Sequence, residues 1–213
     1  MNTPFPGNTS QDSKHTPSNA KLKTAQAIRV LTVPPVLVSA MLLLLYHYTT
    51  QIFRNGLDLI ASLFFLGLLP ILAYPLQPLF PKFRKMEREG QRALAFLFSL
   101  AGYFLGFFSG LITQAKSGLQ LIYTTYLLSV VFLSIWNKLL HLRASGHACS
   151  ITGPLIFLCY FLGLRLLLPC ACIMSASFWA SLTMKRHTPR DLFWGTLLCI
   201  AAFLCAMLIF HFL

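Results

Sequence analysis

The sequence predicts an all-α, polytopic transmembrane helical bundle of six or seven spans, and three observations predict it. Of 213 residues, 56% are hydrophobic and 10% charged, with a mean hydropathy of +0.69; a soluble domain carries roughly 25% charged residues. The apolar residues fall in runs of about 20, the length that takes a helix across a bilayer with its backbone hydrogen bonds satisfied internally. The charges gather in the short segments between those runs.

Taken in order, residues 1–24 are rich in Ser, Thr, Asn, Pro and Lys and offer little to bury, which predicts a disordered polar tail. That stretch is too long and polar to open a signal peptide, so the apolar run after it is expected to be retained as a helix. Apolar segments follow at 28–48, 57–79, 93–113, 119–136, 149–164, 166–184 and 192–212. Pro34-Pro35 and Pro70 are expected to kink or shorten the first two, because proline lacks an amide proton and crowds the turn before it. Only Gly163-Leu164-Arg165 and Pro169 interrupt the stretch from 149 to 184. The expected layout is a tail, 1–24, and a single transmembrane domain, 25–213. The six cysteines lie in apolar runs without metal-ligand spacing and read as small buried residues.

Seventeen Lys and Arg stand against five Asp and Glu. In so apolar a chain that excess belongs to cytoplasmic loops and not to nucleic-acid binding. Only Arg54, Lys116 and Arg165 fall on one side of the predicted spans; all the others fall with the tail and the loops near 80–92, 137–147 and 185–191. That side is expected to face the cytoplasm.

Three polar clusters lie on it: Lys85 to Arg92, Arg143-Ala144-Ser145-Gly146-His147, and Lys185-Arg186-His187-Thr188-Pro189-Arg190-Asp191. Even numbers of crossings separate them, so they are expected to meet as one phosphate-handling site. His187 and Asp191 are four residues apart, a spacing that puts both on one helical face, where the carboxylate fixes the ring tautomer. A carboxylate entering the hydrocarbon costs roughly 2.5–3.5 kcal/mol, so Asp191 needs a partner. Lys138 and His141 lie close to the second cluster.

These residues carry a resemblance. Lys85-x6-Arg92-Ala93, Ala144-Ser145-Gly146-His147 and Ser181-x5-His187-x3-Asp191 resemble the three motifs, K-x6-R-P, P-S-G-H and S-R-x5-H-x3-D, of the type 2 phosphatidic acid phosphatase superfamily. The resemblance spans about 85 to 195 and includes Gly195; it implies a phosphatase-like core over about 80–213. It implies that His187 is a nucleophile forming a phosphohistidine, that Asp191 orients it, and that His147 protonates the leaving oxygen. It further implies that Lys85 and Arg92 clamp phosphate oxygens while the Ser145 and Gly146 amides add donors. No metal or other cofactor is implied.

The departures are Ala93 and Ala144 for prolines, and Ser181 where the third motif has a phosphate-binding Arg. Lys185, four residues on and expected on the same helical face, and Arg143 are the candidate substitutes. The implied activity is hydrolysis of a phosphomonoester or pyrophosphate on a lipid, phosphatidate-like or a polyprenyl diphosphate, in a bacterial plasma membrane. The alternative is a catalytically degenerate relative that binds anionic lipid or a partner protein. A transporter is disfavoured by the scarcity of mid-span ionisable residues, Arg165 excepted, and a prenyl transferase by the lack of paired Asp-rich motifs.

Overall fold

The computed structural model describes residues 19–49 and 51–212, and every regular element among them is helical. Helices α1 (Asn19–Leu31) and α2 (Pro34–Tyr48) form one column bent by 48°. The break has a local cause: Val33 precedes Pro34-Pro35 and is extended, as the residue before a proline prefers to be. Helix α3 (Gly56–Ser62), a π-helical stretch Leu63–Leu68 and α4 (Leu69–Leu76) run on as a single column to Leu79. The widened turn lies where Pro70 removes a backbone donor, so the column continues instead of breaking. After the short α5 (Pro81–Lys85) come α6 (Glu87–Ile112), α7 (Ser117–Ser134, extended by a π turn to Leu139), α8 (Gly146–Leu162), α9 (Leu167–Thr183) and α10 (Pro189–Phe212).

All seven predicted apolar segments are helical, and by length and composition the candidate spans number five or six, which meets the expected six at its upper end. Five columns are long and apolar enough to span a bilayer, or six if the bent α1–α2 pair is one span. Helix α8 has 17 residues; at 1.5 Å per residue it is about 26 Å long, short of the roughly 30 Å hydrocarbon layer. Of the expected polar tail 1–24, residues 1–18 lie outside the described residues, and 19–24 open α1.

Helix α7 is the axis of the bundle. Every residue from Leu119 to Tyr126 is buried, because α7 packs against α6, α8 and α10. Val38, Met41, Leu42 and Leu45 put one face of α2 into the same core. Leu43, Leu44, Phe104, Leu105, Leu204 and Leu208 are exposed on the outer faces, a surface that hydrocarbon suits and water does not.

The two ends differ. At one, Asn55 caps α3 and Arg54 pairs with Asp58 at 2.7 Å while also reaching the Thr113 carbonyl at the end of α6. Arg165 lies exposed at this end, in the α8–α9 turn, donating to the Leu162 carbonyl at 3.2 Å. At the other end lie the α5–α6 segment, the loop into α8, the α9–α10 turn and the C-terminal end of α1.

Candidate active site

The α9–α10 turn is set almost entirely by local chemistry. Helix α9 stops in a Schellman arrangement: the Arg186 amide donates to the Ser181 carbonyl at 3.1 Å and the Lys185 amide to that of Leu182 at 2.9 Å. Lys185 takes the left-handed conformation this stop requires, φ 50°. Two residues later α10 opens with a capping box. The Asp191 amide donates to Thr188 Oγ1 at 3.2 Å and the Thr188 amide to Asp191 Oδ2 at 3.0 Å, with Pro189 in the first helical position. His187 is the single residue between the stop and the cap.

Two sequence expectations are corrected here. His187 and Asp191 do not share a helical face, because His187 precedes the helix; its Nδ1 stands 3.9 Å from Asp191 Oδ2, beyond hydrogen-bond length. Lys185 does not share a face with Ser181, because α9 has ended and the backbone has turned left-handed.

The second cluster is docked onto the third. Ser145 caps α8, accepting from the Ala148 amide at 3.2 Å, and is wholly buried. Its own amide donates to the Asp191 carbonyl at 2.8 Å. Gly195 permits this approach, since a Cβ there would lie 2.3 Å from the Ser145 carbonyl oxygen. Asn137 clamps the preceding loop: Oδ1 accepts from the Ala144 amide at 2.7 Å and Nδ2 donates to its carbonyl at 3.3 Å. His147, one residue inside α8, has Nε2 3.5 Å from Ser177 Oγ on α9.

Helix α1 completes the group. It packs antiparallel along the end of α9, presenting Ala25, Arg29 and Thr32 from one face. Arg29 Nη1 donates to Ser181 Oγ at 3.4 Å, and Thr32 Oγ1 to Ser177 Oγ at 3.4 Å. Arg29 lies within electrostatic reach of both histidine rings. Arg92 and Arg143 act on His187 as well, and Asp191 opposes them. Burial first, and then these guanidinium groups, hold the His187 ring below the ordinary histidine range, so it is neutral at pH 7.

Of the residues singled out in the sequence, His147, His187, Asp191, Arg92, Arg143, Ser145 and Gly146 thus gather at one end of the bundle. Lys85 lies exposed at the end of α5 and Lys185 exposed in its turn, and among the described residues neither contacts the histidines. Sequence reasoning missed Arg29, Thr32, Asn137 and Ser177. For Arg29 a signal existed, since it is the only Lys, Arg, Asp or Glu in the apolar run 28–48. The cost argument applied to Asp191 holds equally for such an arginine.

No group of three His, Cys, Asp or Glu side chains with metal-holding geometry occurs among the described residues. A cavity of about 510 Å³ lies at the opposite end, lined by Tyr48, Gln51, Ser117, Tyr160 and Phe210, and has no part in this cluster. Compared with known family models, curated proteins and solved structures, the chain matches none.

Proposed function

We propose that this chain is an integral membrane phosphatase of lipid phosphates, related to the type 2 phosphatidic acid phosphatases, which hydrolyses a phosphomonoester or pyrophosphate through a phosphohistidine. The observation that carries the reading is the meeting of two histidines, one carboxylate and three guanidinium groups at one end of an apolar bundle. Such a cluster offers an anion both charge and a nucleophile. With its Nδ1 side toward Asp191, neutral His187 leaves the Nε2 lone pair for phosphorus. The P–Nε2 bond forms as the bond to the lipid oxygen breaks, and His147 gives that oxygen its proton. Burial first, then Arg29 and His187, hold the His147 ring well below the ordinary histidine range. The imidazolium form this step needs therefore depends on the charge of the bound phosphate dianion, which favours it. Water, losing a proton to His147, then breaks the P–Nε2 bond and frees phosphate. The substrate tail lies among the exposed apolar faces, and the site faces the cytoplasmic side of a bacterial plasma membrane.

A second reading, a degenerate relative that only binds anionic lipid, is favoured by one observation: Asp191 Oδ2 is engaged by the Thr188 amide and lies 3.9 Å from His187. The test is phosphate release from phosphatidate, phosphatidylglycerophosphate and a polyprenyl diphosphate by purified protein in detergent with EDTA. Release that His187→Ala abolishes is expected. Release that survives His187→Ala refutes the nucleophile; no release by the parent, with retained binding of the same lipids, selects the second reading.

A further inference from the structure

We propose that Arg29, from the N-terminal helix α1, is the guanidinium that holds the phosphate group at this site, filling from another helix the space that Ser181 leaves open. The inference rests on the phosphatase reading for the fate of the phosphate, but not for its binding.

Arg29 is partly buried, yet among the described residues it has no carboxylate partner; the ion pairs there are Arg54–Asp58 and His187–Asp191. Its one hydrogen bond is the long one to Ser181 Oγ, 3.4 Å, leaving most of five N–H donors unused. Around it the charge is of like sign, with Arg92 and Arg186 both near enough to repel it. A half-desolvated cation facing other cations is costly unless an anion joins them. A planar fork of donors suits a phosphate in two-point contact.

The position is specific. Of the three guanidinium groups that act on His187, Arg29 is the one that also acts on His147. An anion on Arg29 therefore lies within electrostatic reach of both rings. Ser181 is almost fully buried at 1% exposure, so a long side chain there would occupy the space Arg29 now fills. The two positions are alternatives for one guanidinium. The 48° bend before Pro34 brings α1 alongside α9 and so sets Arg29 there.

The ligand chemistry is a phosphate group, free or on a lipid, and the assay has an arm for each. Binding of inorganic phosphate to detergent-purified full chain is followed by ³¹P line broadening, and hydrolysis of phosphatidate in mixed micelles by phosphate release. Arg29→Ala is expected to weaken phosphate binding roughly 10- to 100-fold, the range for a lost hydrogen bond to a charged group. Arg29→Gln, which keeps a polar side chain without the charge, is expected to weaken it similarly, and this variant decides the matter if Arg29→Ala fails to fold. Adding Ser181→Arg to Arg29→Ala is expected to restore binding in part, an effect a purely structural role would not give. Parental phosphate binding by Arg29→Gln overturns the proposal. Arg29-dependent phosphate binding without phosphatidate hydrolysis keeps it and sinks the phosphatase reading. Hydrolysis that needs His187 but not Arg29 does the reverse.

Discussion

Replacing Gly195 with alanine tests whether the docking of α8 on α10 builds the site. A Cβ there would lie 2.3 Å from the Ser145 carbonyl oxygen and 3.2 Å from Ala148 Cβ, and real Cβ contacts essentially never fall under 3.0 Å. The backbones must therefore part by about 0.7 Å. The same movement stretches the 2.8 Å bond from the Ser145 amide to the Asp191 carbonyl to about 3.5 Å, the edge of hydrogen bonding. Overpacking costs ~1–3 kcal/mol and the weakened bond ~0.5–1.5 kcal/mol, against a gain of ~1 kcal/mol for Ala over Gly in a helix. A net loss of roughly 0.5–3.5 kcal/mol follows. Gly118→Ala is the control, because its Cβ would meet only side-chain atoms, at 3.3 and 3.5 Å. Thermal unfolding in detergent should place Gly195→Ala below that control by about 2–4 °C per kcal/mol. Faster exchange of the Ser145 amide should accompany it. Equal midpoints together with a protected Ser145 amide would refute the docking argument.

Two further predictions concern the histidine turn. The groups facing His187 are Arg29, Arg92, Arg143 and Asp191, with His147 nearby, and burial with the guanidiniums outweighs the carboxylate. Because its folded pKa lies below the unfolded value, the unfolded chain takes up the proton first on acidification. Stability is then lost from about pH 6.5 downward until the folded pKa is reached, and is level below it. A ring titration followed by NMR should show a midpoint below ~6.5 that rises in Arg29→Ala; an unchanged midpoint would contradict the electrostatic account. Asp191→Asn keeps an oxygen for the Thr188 amide, so the midpoint of unfolding should move by no more than ~1 kcal/mol equivalent. On the proposed reading phosphate release should nonetheless fall by about 10²-fold or more; parental release would leave Asp191 a cap alone.

The helices were legible because spanning runs and bounding prolines are local properties of the chain. The turn that holds His187 was nearly as legible, since Thr188-Pro189-Arg190-Asp191 spells a capping box. Reading that spacing as a helical face was an error of register: the same four-residue interval fits a carboxylate reaching back to its own cap. Lys185 misled for a related reason, because its left-handed backbone follows from where α9 stops, and no glycine marks the place. Asn137, Thr32 and Ser177 act across the fold, and no pattern in the sequence pairs Asn137 with Ala144 or α1 with α9. Arg29 was weighed as a topology charge because counting treats all flanking cations alike. The count carries no information about which of them is buried.

The determinants of the two kinds of group differ for a physical reason. On the proposed reading the imidazole of His187 must present one nitrogen in one direction, which needs a closely fixed backbone, and the chain has a helix stop and a helix start on either side of His187. A guanidinium that holds an anion must only bring its donors to a point, and a long side chain reaches that point from more than one backbone. On the proposed reading the histidines are therefore tied to their sequence positions, whereas a phosphate-binding arginine can be supplied from 29 on α1 as well as from 181 on α9, provided the residue at the other position is small. Arg29 Nη1 stands 3.4 Å from Ser181 Oγ, so the combined Arg29→Ala and Ser181→Arg change tests whether the guanidinium can be supplied from either helix.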